Sequence, residues 1–293
     1  MTHTDLLAGF DRHRIATGDG VVINVRSAGS GPPLLLLHGY PQTHVAWHRI
    51  APVLAEFFTV VVPDLRGYGD SSKPPGAAYS KRAMAGDQVR VMRELGFARF
   101  AAAGHDRGGR VVHRLCLDHP DSVVRAAVID IVPTGYAYAT VSREMASSYF
   151  HWFFLTQPGD LPERLIAGEP DLWLDRMLGT AQGPGFFDPA ALAEYRRCFG
   201  DPETIRATCA DYRAGAGVDL DHDAANAGHR ISCPLLVLWG ATGFVGNHYD
   251  PVAVWRSVAD RVEGAALPSG HFPGEQAPQE TSAALFEFFA AGA

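Results

Sequence analysis

The chain has 293 residues, of which 47% are hydrophobic, and a formal net charge of -7. This is enough apolar sequence to bury a substantial core, and the interspersed charges exclude an extended nucleic-acid surface. No stretch approaches the roughly 18 apolar residues of a membrane span, and the four scattered cysteines do not form a disulfide framework.

The amino-terminal stretch predicts a hairpin at the edge of a sheet. Residues 13–29 read "HRIATGDGVVINVRSAG", in which apolar and polar residues alternate around a Gly-Asp-Gly turn. Such alternation is typical of two antiparallel strands with one face in the core. The start of the chain lacks the basic segment and apolar run of a secretory signal, so we expect a cytoplasmic protein with reduced cysteines.

Short β-type runs then alternate with stretches of helical length. The runs are residues 32–37, 58–64, 99–104, 124–132 and 234–240. Among the stretches between the first four, residues 81–96 place apolar side chains at helical spacing. Nearly continuous apolar strands separated by helices predict an α/β fold, with a mostly parallel central sheet and helices on both faces.

The alternation stops at about residue 135 and resumes after residue 230. The sequence between is helical, aromatic and rich in turns, with breaks at "QPGDLP" and "QGPGFFDP". We predict a helical cap domain, 135–230, inserted into a core domain formed by 1–134 and 231–293. The final segment, "QETSAALFEFFAAG", is predicted to form a helix that packs on the last strand.

The segment "RFAAAGHDRGG" predicts a strand, a very tight turn and a helix, with Asp106 at the turn. Gly104 and Gly108 lie two residues before and two after it, where larger side chains would collide with each other or with neighbouring strands. The pattern resembles the nucleophile elbow of the α/β-hydrolase superfamily, with Asp in place of Ser. The alternative is that Asp106 only caps the following helix.

An aspartate nucleophile displaces a leaving group from an sp3 carbon and forms an ester, which water must then hydrolyse. Hydrolysis needs a base and an acid that orients it. The resemblance places the base at His271, in the loop "PSGHFPGEQAP", and Asp130 ends the strand that follows the elbow helix. The superfamily's other position for the acid, after "LLVLWG", has no carboxylate before Asp250, so Asp130 is preferred. His38 and His105 are expected to be structural.

The tetrahedral oxyanion formed during ester hydrolysis needs backbone N–H donors. The segment "LLLLHGYPQT" follows a buried strand. Its His-Gly turn is expected to bring the amide of Tyr40 near the elbow, opposite the amide of Arg107. A His-Gly pair followed by an aromatic residue and Pro is frequent in the superfamily, so this motif indicates the fold and not the substrate.

Arg107 and Arg110 are three residues apart at the start of the elbow helix and therefore share one face. A cation at a helix N-terminus is unfavourable by about 0.3–1 kcal/mol unless an anion compensates it. A salt bridge between Arg110 and Asp106 would be a purely structural explanation. A small carboxylate substrate held by both guanidinium groups explains both residues, and it predicts a 2-halo acid whose α-carbon faces Asp106.

The segment "GHDRGGR" resembles fluoroacetate dehalogenases (haloacetate dehalogenases), and this resemblance extends over essentially the whole chain. Haloalkane dehalogenases and epoxide hydrolases usually carry an aromatic residue at the position of Arg107. The resemblance implies that the halide is bound by His151 and Trp152 in "HWFFLTQP" and by Tyr212 in "DYRAGA", which all have N–H or O–H donors. It also implies a homodimer. Water is the second substrate, and no metal or organic cofactor is needed.

Three alternatives stay open. An epoxide hydrolase uses the same Asp-His-Asp set but needs two cap tyrosines to protonate the epoxide oxygen. A haloacetate dehalogenase can prefer chloride or bromide to fluoride. A non-catalytic carboxylate-binding module would keep the arginine pair and tolerate loss of His271. The stretch "IVPTGYAY" after Asp130 departs from the family's pattern, so Tyr136 and Tyr138 are left unassigned.

Overall fold

The computed structural model describes residues 5–183 and 185–291. The strands are β1 (Asp11–Gly18), β2 (Val21–Ala28), β3 (Pro33–Leu37), β4 (Thr59–Pro63), β5 (Phe100–His105), β6 (Val123–Ile129), β7 (Leu235–Gly240) and β8 (Val262–Leu267). They form one sheet in the order β1-β2-β4-β3-β5-β6-β7-β8. β2 pairs antiparallel with β1 and β4, and the other neighbours are parallel. The predicted α/β fold with an edge hairpin is confirmed.

Helices lie in each connection between consecutive strands from β3 onward. Those of the core are α1 (Ala51–Leu54), α2 (Lys81–Glu94), α3 (Arg107–Asp118), α12 (Phe244–His248), α13 (Pro251–Arg256), α14 (Pro273–Gln276) and α15 (Pro278–Ala290). Between β6 and β7 lie α4 (Thr134–Ala139), α5 (Arg143–Ser148), α6 (Phe150–Phe154), α7 (Leu161–Gly168), α8 (Pro170–Leu178), α9 (Pro189–Phe199), α10 (Pro202–Ala216) and α11 (Val218–Ala225). These occupy the segment predicted as the cap. The boundaries of the two domains stay a prediction.

The leucines of β3 show how the sheet is buried on both faces. Leu35 and Leu37 belong to an apolar cluster that includes α2 and α3, whereas Leu34 and Leu36 belong to a second cluster that includes α1 and α15. Side chains of a strand alternate between faces, so a run of consecutive leucines requires cover on both. The second cluster also contains Leu267 of β8 and Leu285 of α15.

The carboxyl ends of the parallel strands meet at one edge of the sheet. β5 is followed directly by Asp106, β6 by Asp130, and the loop after β8 carries His271. The turn after β3 contains Tyr40. Open α/β sheets bind ligands outside the carboxyl ends of their strands, so the fold gathers these four residues at its natural ligand-binding edge. Among the residues that the structure describes, no helix is long and apolar enough to cross a membrane.

Candidate active site

Asp106 occupies a strained turn between β5 and α3. Its φ is 44° and its ψ is -113°, in a region that non-glycine residues rarely adopt. A Cβ on Gly104 would lie 2.4 Å from the carbonyl carbon of Gly108, and a Cβ on Gly108 would lie 2.4 Å from the Leu37 oxygen. Both glycines are therefore needed for the tight turn. The Asp106 side chain makes no capping hydrogen bond to α3, which argues against the helix-cap explanation.

The Asp106 carboxylate is buried and held against the turn that follows β3. The amide of Tyr40, which is predicted to be an oxyanion donor, donates to Asp106 Oδ2 at 2.9 Å. A Cβ on Gly39 would lie 2.7 Å from the Asp106 Cβ, so glycine permits this close approach. Burial favours the neutral acid, but nearby positive groups, His271 foremost, lower the pKa of Asp106 to about 2. Asp106 is therefore a carboxylate at neutral pH.

His271 and Asp130 form the second part of the site. Asp130 Oδ1 accepts from the Gly240 amide at 3.0 Å, and Oδ2 lies 2.6 Å from His271 Nδ1. Because a carboxylate can only accept, Nδ1 carries the proton and Nε2 is left as the basic nitrogen. Burial lowers the pKa of His271, but the hydrogen bond and charge of Asp130, together with the charge of Asp106, raise it above its usual value.

Other residues considered from the sequence have structural roles. Asp250 is exposed and accepts from the Ala253 amide at the start of α13. His105 Nε2 donates to the His271 carbonyl oxygen at 2.6 Å, and burial lowers the pKa of His105 to about 4. His38 Nε2 accepts from a backbone amide. His105 thus supports the backbone of the loop that carries His271.

A cavity above the sheet edge brings most of the predicted site residues together. The cavity has a volume of about 160 Å³. The predicted residues that line it are Tyr40, Asp106, Arg110, Asp130, His151, Trp152, Tyr212 and His271. A space of this size accommodates a small organic acid.

Arg110 is a buried cation with no acidic partner within 4 Å in the described part of the chain. Its Nη1 donates to the Val132 oxygen at 3.1 Å and to Thr134 Oγ1 at 3.0 Å, and its Nε has no hydrogen-bond partner. The guanidinium carbon lies 4.6 Å from the centre of the Trp152 ring. Burial lowers the pKa of Arg110, against the attraction of Asp106. The proposed structural salt bridge with Asp106 is not formed.

Arg107 requires a correction, because its side chain does not line the cavity. Its Nε and Nη2 donate to Asp211 Oδ2 at 2.9 Å and Oδ1 at 2.6 Å, and its guanidinium carbon lies 4.2 Å from the centre of the Tyr212 ring. Arg107 therefore has an anionic partner, as its position at a helix N-terminus led us to expect. This partner is the Asp211 carboxylate of α10 and not a substrate. Of the two arginines, the structure therefore places only Arg110 in the cavity.

The three residues predicted to bind halide lie on the cap side of the cavity. The His151 and Tyr212 rings are 5.6 Å apart at a steep angle, and Trp152 follows His151 on α6. Burial lowers the pKa of His151 to about 3, so its ring is neutral at pH 7. Their side chains make no hydrogen bond to any described residue. The cavity therefore contains three neutral polar groups able to donate to a ligand.

Tyr149 was missed from the sequence although it lies two residues before His151. It lines the cavity, its ring is parallel to that of Trp152 at 5.8 Å, and its centre lies 6.5 Å from that of His271. Tyr136 and Tyr138 do not line the cavity, and Tyr138 instead packs 5.3 Å from the Trp152 ring. The sequence feature that could have identified Tyr149 is its position two residues before the predicted binding pair, His151 and Trp152, on a helical segment.

Comparison with known proteins gives concordant results for the fold. A family model for the alpha/beta hydrolase fold matches residues 32–278. A fluoroacetate dehalogenase from Burkholderia sp is 46% identical over 97% of this chain and 95% of that protein. A soluble epoxide hydrolase from Corynebacterium sp. (strain C12) is 36% identical over 95% of this chain and 97% of that protein.

Solved structures agree over the same length. A Nostoc sp PCC 7120 protein described as an alpha/beta hydrolase superposes with a TM-score of 0.94 at 52% identity, covering 97% of this chain and 99% of that one. The relatives carry two different activities in their names, so the chemistry of the cavity must be used to choose between them.

Proposed function

The protein belongs to the alpha/beta hydrolase family, and from that premise we propose that it hydrolyses the carbon–halogen bond of a small 2-halo acid. The substrate is fluoroacetate, and the products are glycolate and fluoride. The observation that carries this proposal is Arg110, a buried guanidinium without an acidic partner among the described residues, in the cavity that contains Asp106. A buried cation is costly unless an anion joins it, and a substrate carboxylate supplies that anion.

In the first step, the substrate carboxylate binds Arg110 and presents its α-carbon to Asp106. Since Asp106 Oδ2 is occupied by the Tyr40 amide, Oδ1 is the attacking oxygen. The Asp106 oxygen forms a bond to the α-carbon with inversion as the carbon–halogen bond breaks. His151, Trp152 and Tyr212 donate to the departing halide, which matters most for fluoride because it is strongly hydrated in water.

In the second step, His271 Nε2 takes a proton from water, and the hydroxide attacks the carboxyl carbon of the Asp106 ester. The Tyr40 and Arg107 amides stabilise the oxyanion. The bond between the carboxyl carbon and the glycolate oxygen breaks as His271 Nε2 returns the proton to that oxygen. The Asp106 carboxylic acid that results loses its proton to water, which regenerates the carboxylate. Asp130 orients His271 and stabilises its imidazolium form.

Epoxide hydrolysis is the second candidate, and one structural observation and one relative favour it. Tyr149 and Tyr212 both line the cavity from the cap, so two tyrosines are available to protonate an epoxide oxygen. The Corynebacterium relative is named for that activity. An epoxide does not use the charge of Arg110, however, and a neutral substrate would leave this cation uncompensated. The halo acid is therefore preferred.

Substrate comparison tests the proposal. Purified protein is incubated with fluoroacetate, chloroacetate, 2-chloropropionate and styrene oxide, and free halide and diol are measured. We expect halide release from the acids and none from the Asp106→Asn protein. Epoxide opening without halide release would overturn the proposal. Faster release from chloroacetate than from fluoroacetate would assign the preference to chloride.

A trapping experiment separates catalysis from simple binding of a carboxylate. The His271→Asn protein, which lacks the base, should stop after the first step when treated with fluoroacetate. Mass spectrometry should then find a carboxymethyl group on the peptide that contains Asp106. A non-catalytic binding protein would gain no mass.

We also propose that the protein is a homodimer. Leu161 and Leu165 on α7 and Leu172 on α8 are 50%, 57% and 66% exposed, which provides apolar surface on the cap side. Sedimentation equilibrium should give a mass of two chains of 31.6 kDa. A mass of one chain across the concentration range would reject the dimer.

A further inference from the structure

One more arginine, Arg176 on α8, contacts the cavity from outside the residues assigned above. Arg176 and Ser148 are the exposed residues among those that line the cavity, so they mark the place where it opens to solvent. The Arg176 guanidinium carbon lies 5.4 Å from the centre of the Phe150 ring, and Phe150 immediately precedes His151. Arg176 therefore lies at the mouth, on the cap side that also carries the halide donors.

The charge of Arg176 is not neutralised by the acidic residues of its own helix. Asp175 lies 2.5 Å from Arg196 Nη2, and Asp171 lies 3.8 Å from Arg196 Nε. Arg176 itself has no ion pair within the described ranges. Its positive charge is also among the causes that lower the pKa of His151, which lines the same cavity.

An anionic substrate meets two obstacles on its way to Arg110. The chain has a net charge of -7, and the cavity itself contains the carboxyl groups of Asp106 and Asp130. Arg107 does not offset them for the substrate, because it is paired with Asp211. An unpaired cation where the cavity meets solvent raises the local concentration of anions and lowers the barrier to their entry.

We propose that Arg176 forms an anion-capture subsite at the mouth of the cavity, which takes small carboxylates and passes them to Arg110. This inference rests on the proposed function for the identity of the anion. Arg176 does not contact the reacting atoms in this proposal. Because Arg176 acts on the rate at which substrate arrives, its loss should lower kcat/KM. This effect should disappear when salt screens the charge.

The test compares Arg176→Gln with Arg164→Gln, a matched control. Arg164 is exposed on α7, does not line the cavity and carries the same charge. Fluoride release is measured at 10 mM and at 200 mM ionic strength. We expect Arg176→Gln to lose about threefold in kcat/KM at low salt, with kcat unchanged and the difference nearly abolished at high salt. Arg164→Gln should change by well under twofold.

Binding of acetate, which has no leaving group, keeps this inference separate from the proposed function. The Kd of acetate is measured by tryptophan fluorescence, with acetamide as the neutral control. Loss of acetate affinity in Arg176→Gln at low salt only, with acetamide unaffected, supports the subsite even in a protein that releases no fluoride. Equal effects of the two substitutions, a loss that salt does not remove, or no loss at all would overturn it.

Discussion

His271 has a different electrostatic environment in each half of the proposed reaction. In the free protein, the charges of Asp130 and Asp106 both raise its pKa. Once Asp106 is esterified it carries no charge, so one of these causes is removed and the pKa of His271 falls. In the proposed reaction, formation of the ester therefore favours the neutral form of His271, which is the form that the next step uses.

The rates of ester formation and ester hydrolysis should consequently depend differently on pH. Ester formation needs only ionised Asp106, whose pKa is about 2, so its rate should change little between pH 8 and pH 5. Ester hydrolysis needs neutral His271 and should slow by about tenfold per pH unit below the pKa of that residue in the ester. Rapid-quench mass spectrometry should show the esterified fraction rising as the pH falls. An esterified fraction that stays constant, with both rates falling in parallel, would contradict this assignment.

Residues in local motifs could be placed from the sequence, and residues defined by distant partners could not. Asp106 and His271 lie in short motifs that encode their own turns, and Asp130 follows from its place at a strand end. The position of Arg107 depends on Asp211, which is 104 residues away. The spacing of two arginines shows that they share a helix face, but it does not show which anion each one meets.

At the scale of elements, the elbow depends on how closely α3 approaches β3. A Cβ on Gly108 would lie 2.4 Å from the Leu37 oxygen and 2.5 Å from the His38 oxygen, which are backbone atoms that cannot move aside cheaply. Gly108→Ala should therefore push the start of α3 away from the sheet, which moves Asp106 relative to the Tyr40 amide. We expect a loss of about 3 kcal/mol in the free energy of unfolding, with a large loss of activity.

Gly86 provides the control for this substitution. It lies within α2, and a Cβ at this position has no neighbour within 4 Å. Because glycine is unfavourable inside a helix by about 0.5–1 kcal/mol relative to alanine, Gly86→Ala should stabilise the protein or leave it unchanged. Both variants are measured by urea denaturation. Similar behaviour of the two proteins would mean that close packing at the elbow is not what requires Gly108.

Elements with a strong local signal were predictable, and their arrangement was less so. Runs such as residues 32–37 and 234–240 contain enough consecutive apolar residues to identify buried strands, and their bounds agree with β3 and β7 to within one residue. The segment between β6 and β7 forms short helices whose packing depends on contacts distant in sequence, such as those between α7 and α10. The sequence therefore predicted a helical cap without the arrangement of its helices.

At the scale of the whole molecule, a buried charge cluster joins the helices of the sheet domain to the cap. Asp211 of α10 accepts from Arg107 of α3, from Lys81 of α2 and from the Tyr68 hydroxyl. The Lys81 amide also donates to Asp219 of α11 at 2.8 Å. The charges of Arg107 and Lys81 balance those of the two carboxylates, and all four side chains are nearly inaccessible to water. The cluster fixes the cap helix that carries Tyr212 against the helix that begins after Asp106.

Asp211→Asn should destabilise the protein far more than loss of a surface ion pair. The substitution leaves the buried Arg107 and Lys81 with one carboxylate between them, and an uncompensated buried charge costs about 3–5 kcal/mol. The control is Asp260→Asn, because Asp260 pairs with Arg230 at 2.6 Å while their side chains are 50% and 41% exposed. Such a pair contributes about 0–1 kcal/mol. Urea denaturation measures both free energies of unfolding. If the two variants lose the same free energy, Asp211 does not hold the cap on the core by compensating these charges.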